Sequence, residues 1–179
     1  MGMVLSLSVA RLLNGLAKFV QPPKKVKIFP VHLLWVFAIL LHLVHFWWWE
    51  FKLRFLGSWT FEIYLMLITY TIDIFLLCAL LFPDDMQEYS GYEDYFMSRR
   101  KWFFGIFSFS FVIDFFDTAL KGSDYYNSLG WEYPVRNSAF IALSIAAMFV
   151  SNRKAQLAFV IIALLYEISY IFRLYHIIQ

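Results

Sequence analysis

IFPVHLLWVFAILLHLVHFWWW, residues Ile28–Trp49, contains no Asp, Glu, Lys or Arg. A helix needs about 20 mostly apolar residues to cross a hydrocarbon core of about 30 Å, and this run is long enough. The rest of the chain agrees with it. Of 179 residues, 61% are hydrophobic and 22% aromatic, and the mean hydropathy is +0.64. Only 16% are charged, against about 25% in a soluble domain. A soluble fold would have too little polar surface to cover itself.

Working outward, four further spans are expected. The full set is 30–50, 59–82, 102–120, 134–150 and 155–178, with Pro83 stopping the second and Lys121-Gly122 the third. Residues 1–27 form a basic N-terminal segment in which Ser8, Arg11, Asn14 and Lys18 share one helical stripe. That stripe suits an amphipathic helix lying in the interface, the preferred reading, because Arg11 would otherwise sit near mid-bilayer. It also suits a sixth span turned toward its neighbours. The expected fold is therefore an all-α, polytopic transmembrane bundle in a single membrane domain, of five spans plus an amphipathic or sixth membrane helix.

Lysine and arginine set the orientation. Arg11, Lys18, Lys24, Lys25, Lys27, Arg99, Arg100, Lys101, Arg153 and Lys154 fall on one side, expected to be cytoplasmic. Lys52, Arg54, Lys121, Arg136 and Arg173 fall on the other. Five spans place the C-terminus outside, and a sixth moves only the N-terminus. Trp47, Trp48, Trp49, Trp59 and Trp131 mark the outer interface and Trp102 the inner one, as amphipathic rings do. A bacterial inner membrane is the expected location. Met1-Gly2-Met3-Val4-Leu5-Ser6 fits the short and common myristoylation pattern, but a protein with several spans needs no such anchor. No cleavable signal is evident and no N-x-S/T acceptor occurs. The lone Cys78 excludes a disulfide framework or thiolate metal site within one chain. A net charge of +2 gives no argument for nucleic acid.

Two connections are long. Loop 84–101 begins acidic and ends basic, and Tyr89, Tyr92 and Tyr95 at every third residue suggest a surface helix with an aromatic face able to dock a cytoplasmic partner. Loop 122–133, rich in Gly, Ser, Tyr and Asn, either caps the outer mouth or serves as a linker. Ser138, Ala142 and Ala146 on the fourth span form a small-residue face for packing within the bundle, or for a homo-oligomer or larger membrane complex.

Ionisable groups inside a membrane are costly, so each marks a candidate site. At about 100° per residue, four spans each carry a stripe. These are His42, His45 and Trp49; Glu62, Thr69 and Asp73; Ser110, Asp114, Asp117 and Lys121; and Glu167 with Tyr170, Arg173 lying to one side. The fourth span has no ionisable group past Arg136. Lipid would not tolerate such stripes, so they should face a common pocket in the outer half.

Three readings follow. The charges pair and pin the bundle, Asp117 with Lys121 and Glu167 or Asp114 with Arg173. Or His42, His45, Asp73, Asp114, Asp117, Glu167 and Arg173 line a path for protons or small ions, as in a channel or transporter. Or His42, His45, Asp114 and Asp117 hold a divalent metal in a redox or catalytic site. The spacings H-x-x-H and D-x-x-D are weak signals alone. Enzyme motifs such as H-E-x-x-H, G-x-S-x-G and the phosphate-binding glycine loop are absent.

Overall fold

A computed structural model describes residues 2–21, 27–51, 53 and 59–175, with the backbone alone at 174 and 175. Lys24, Lys25, Lys52, Arg54 and His176 lie outside the described residues, as does the end of the expected fifth span. The described residues form helices and no strand: α1 (Gly2–Val20), α2 (Pro30–Glu50), α3 (Phe61–Leu81), α4 (Tyr92–Leu120), the short α5 (Ser123–Ser128), α6 (Glu132–Phe149) and α7 (Arg153–Tyr175).

Local chemistry sets these boundaries. Pro30 opens α2, where its missing N–H costs nothing. Pro83 lies just past α3 and cannot continue it. Asn152 caps α7, its Oδ1 accepting from the Lys154 and Ala155 amides at 2.9 and 3.4 Å. Gly122 ends α4 at φ +106°, which a side chain would disfavour.

The six long helices alternate in direction. His32 meets the Leu81 carbonyl and Phe46 meets Tyr70, so α2 and α3 are antiparallel. Asp73 with Ser110 and Phe82 with Tyr92 do the same for α3 and α4, as Asp114 with Asn137 and Lys101 with Phe149 do for α4 and α6. Trp35 with Phe159 and His45 with Glu167 place α7 parallel to α2. One end of the bundle, where α2 finishes, gathers the buried charges. The other gathers aromatic rings around Trp35.

α1 belongs to this bundle. Gly2 lies beside Trp47 and Phe19 beside His32, so α1 runs antiparallel to the whole of α2 and also packs on α3. Its buried residues Leu5, Ser8, Leu12 and Gly15 follow the 3-4-3 spacing of a helix-packing seam. The preferred interfacial placement gives way to a sixth lengthwise helix. Arg11 reaches out of the apolar belt to Asp84 at 2.6 Å, the snorkelling expected of a long cationic side chain.

Among the described residues, five helices are long and apolar enough to cross a membrane: α1, α2, α3, α4 and α7. The set differs from the expected five. α1 joins it, and α6 falls outside because Glu132, Arg136 and Asn137 occupy its first two turns. At 29 residues, α4 is about 44 Å long, more than a hydrocarbon core needs. Its first turns therefore absorb most of the expected surface loop. Tyr92 and Tyr95 are buried against the bundle rather than displayed on a free aromatic face. Large apolar side chains such as Phe37, Leu65, Phe109, Leu165 and Phe172 cover the perimeter, as a lipid-facing surface requires.

Candidate functional site

The site grows from α4. Asp114 is buried, and its Oδ2 accepts from Asn137 Nδ2 at 2.6 Å, Tyr133 OH at 2.9 Å and, more distantly, Arg136 at 3.4 Å. The Tyr133 hydroxyl also contacts the Asp114 carbonyl at 2.8 Å and Thr118 Oγ1 at 2.7 Å. Arg136 bonds chiefly to the neutral Asn137 Oδ1, at 2.8 and 3.0 Å, and its guanidinium lies 4.4 Å from the Tyr170 ring centroid. This is a buried cation held mainly by an amide oxygen and a ring face, with its carboxylate at the limit of bonding distance.

Beside this network, His45 Nδ1 on α2 pairs with Glu167 Oε1 on α7. His42 lies one turn away between Phe107 and Phe111, and its buried Nε2 has no hydrogen-bond partner among the described residues. His42, His45, Tyr70, Asp114, Arg136 and Glu167 surround one small cavity with room for about one water molecule. Five helices meet there: α2, α3, α4, α6 and α7.

Three further polar groups flank the cavity. Lys121 Nζ donates to Glu50 Oε1 at 3.0 Å and to Asp117. All three side chains are at least nine-tenths buried, and the lysine lies under the rings of Trp49 and Tyr125. α5 thus brings loop 122–133 over the charges as a cap. Deeper in, Ser110 Oγ donates to Asp73 on α3. At the rim, Arg173 forms a two-pronged pair with Glu132, which also accepts from Tyr166 OH at 2.7 Å.

Below Asp73 no carboxylate continues among the described buried residues. Trp35 is fully buried and meets Phe103, Phe104, Phe107 and Phe159 edge-on, with centroids 5.1–5.5 Å apart. Edge-to-face contacts of this kind add about 0.5–1.5 kcal/mol each beyond area burial. At the far end, His32 Nε2–H donates to the Leu81 carbonyl at 2.7 Å, satisfying an orphan acceptor at the end of α3. Its ring stacks on Tyr92.

Of the expected site residues, the structure brings His42, His45, Asp114 and Glu167 together. It sends Asp117 to Lys121 and Glu50, Asp73 to Ser110, and Arg173 to Glu132 rather than to Glu167 or Asp114. Glu62 and Thr69 are exposed, so only Asp73 of that stripe turns inward. Asp114 and Asp117 join different clusters, and no group of three or more His, Cys, Asp or Glu able to hold a metal ion occurs among the described residues. Sequence reasoning missed Tyr133, Arg136, Asn137, Glu132 and Glu50. Arg136, at the start of the expected fourth span, entered only the orientation count, although Asn137 beside it is a readable sign of a polar helix start. Ser138, Ala142 and Ala146 face outward instead of into the bundle.

Comparison with protein-family models, curated proteins and solved structures found no match. The class therefore rests on the fold: a multi-pass helical membrane protein with a buried charge cluster at one end.

Proposed function

We propose that this protein passes protons across a bacterial inner membrane through the cavity at its polar end. The basic aromatic end faces the cytoplasm, following the bias of lysine and arginine. The reading rests on one observation: His42, His45, Glu167, Asp114 and Arg136 converge from four helices on a space one water wide. A histidine paired with a carboxylate shares a proton, a second histidine nitrogen lies unpartnered one turn away, and a single water can bridge them. Histidine is suited to this because its charge changes near neutral pH. The aromatic layer around Trp35 favours a carrier over an open pore, since a proton entering the polar end meets closed packing beyond Asp73.

Purified protein in liposomes containing a pH-sensitive dye tests this. Glu167→Gln and His45→Gln should each slow proton flux at least tenfold while keeping the unfolding temperature within a few degrees. A second reading, a membrane subunit whose charges only pin the helices, is favoured by how fully the carboxylates are paired. It predicts the opposite result: no protein-dependent flux, and a marked loss of thermal stability in both variants.

A further inference from the structure

α6 and α7 are consecutive, yet they lean on different neighbours, α6 on α4 and α7 on α2. They are clasped at both ends. Near the turn, Gln156 Nε2 donates to the Ala147 and Val150 carbonyls at 3.0 and 2.8 Å. At the polar end, Arg173 and Tyr166 hold Glu132. Between the clasps lies a slot open at the side. Its half near the turn encloses about 670 Å³ and its polar half about 1000 Å³, each including the part open to the surroundings. Leu143, Phe159 and Ile162 line both halves, so the slot is continuous.

We propose that this slot binds one acidic phospholipid, its acyl chain between α6 and α7 and its phosphate at Arg136 and Arg173. The site goes beyond the proton pathway and does not depend on it. Charge decides the occupant. The charged residues lining the polar half are Arg136, Arg173 and Glu132, two cations to one carboxylate at the slot wall, while Asp114 stands behind Arg136 and does not line the slot. Arg136 is only 8% exposed and its carboxylate partner stands at 3.4 Å. A buried cation so weakly paired gains from an anion, and phosphate suits the guanidinium fork. The depth fits as well. Arg136 sits about a turn and a half inside Trp131, which is 79% exposed at the level where interfacial rings gather. From Arg136 to Val150 the slot runs for about 21 Å, longer than one leaflet's share, about 15 Å, of the hydrocarbon core. Among the described residues, the comparable groove between α1 and α2 is lined by no charged side chain to meet an acidic headgroup.

The test is thermal unfolding in mild detergent with added phosphatidylglycerol, phosphatidylcholine of the same chains, or glycerol phosphate, alongside native mass spectrometry of retained lipid. Phosphatidylglycerol should raise the unfolding temperature by about 5 °C at a hundredfold excess over its Kd. The other two should raise it by about 1 °C or less, and one phosphatidylglycerol should be retained at least tenfold over phosphatidylcholine. Ala158→Trp, which fills the slot away from every ion pair, should abolish the shift and keep proton flux, whereas Glu167→Gln should keep the shift. Equal effects of the two lipids, an effect of glycerol phosphate alone, or a shift that survives in Ala158→Trp would overturn the proposal. So would a stable dimer that buries the slot. Should Ala158→Trp fail to fold, the retained-lipid ratio in the unaltered protein decides.

Discussion

Tyr133 shows how much one hydroxyl carries in this cluster. It is fully buried and touches the Asp114 carbonyl, the Asp114 carboxylate and Thr118. Tyr133→Phe keeps the ring and strips those groups of their partner, a cost of about 1–3 kcal/mol for unsatisfied buried acceptors. The unfolding temperature should fall by roughly 3–10 °C, and a fall under about 1 °C would remove the hydroxyl from the scaffold. A second single-residue effect concerns pH. Asp84 lies outside the helices, and the hydrogen bond from Arg11 holds its carboxyl below the usual carboxylate range. A depressed folded-state value stabilises the fold above the ordinary carboxylate pKa, and the contribution disappears as pH falls through the lowered value. The stability difference between the unaltered protein and Asp84→Asn should therefore be present near pH 6 and decline as the pH falls below the usual Asp value of about 3.9 and on through the lowered one. It should be small, since the pair is exposed. A difference that grows on acidification would contradict the assignment. The residue-scale chemistry was only partly legible in the sequence. The i, i+4, i+7, i+11 stripe on α4 identified Ser110, Asp114, Asp117 and Lys121 because lipid cannot solvate them. The pair of Asp117 with Lys121 within the helix was legible, but partners on other helices were hidden because pairing depends on which helices face each other. Periodicity within one helix carries no such information, so Arg173 could not be assigned to Glu132.

For whole elements, α1 carries the clearest test. A Cβ added to Gly15 would fall 2.2 Å from the Phe82 ring, which is itself 1% exposed and has little room to move. In an unconstrained helix, Gly→Ala stabilises by about 1 kcal/mol. Here the sign should reverse. Gly15→Ala should cost about 1–3 kcal/mol through overpacking, seen as a lower unfolding temperature and faster proteolysis near residue 20. A neutral or stabilising result would mean that α1 does not pack on α3. The sequence left α1 between two placements because Ser8, Arg11, Asn14 and Lys18 suit either. The structure distinguishes them through residues with no polar signal at all, Leu5, Leu12 and Gly15, which carry the seam. The cores of α2 and α3 were legible from uninterrupted apolar runs. The early start of α4 was not, because Arg99, Arg100 and Lys101 read as a loop when they are the wet extension of a long helix.

Over the whole molecule, six alternating helices put loop 84–91 and α5 at opposite ends. Cys78 is buried, so an introduced cysteine reports alone. Under the proposed orientation, Ser128→Cys should react with a membrane-impermeant maleimide in intact cells, and Ser90→Cys only after permeabilisation. The reverse labelling would invert the topology, and labelling of both would break the alternation of the helices.

The pairing of α1 against the full length of α2 has a consequence for how the chain can be rewired. Gly2 and the last turns of α7 emerge at the same end, beside Trp47 and His45 respectively. A short linker between them would need to cross no membrane. A circular permutant opened in the Asp84–Glu88 stretch would then begin and end at the basic end, with all six long helices keeping their neighbours and the Arg11–Asp84 tie and the local turn bonds of Asp85 and Met86 disturbed. The same cut without the linker would leave two pieces of three long helices each, the second also carrying the short α5. Their interface would contain the Trp35 aromatic layer and most of the polar cluster, which makes the protein a candidate for assembly from two separately made halves.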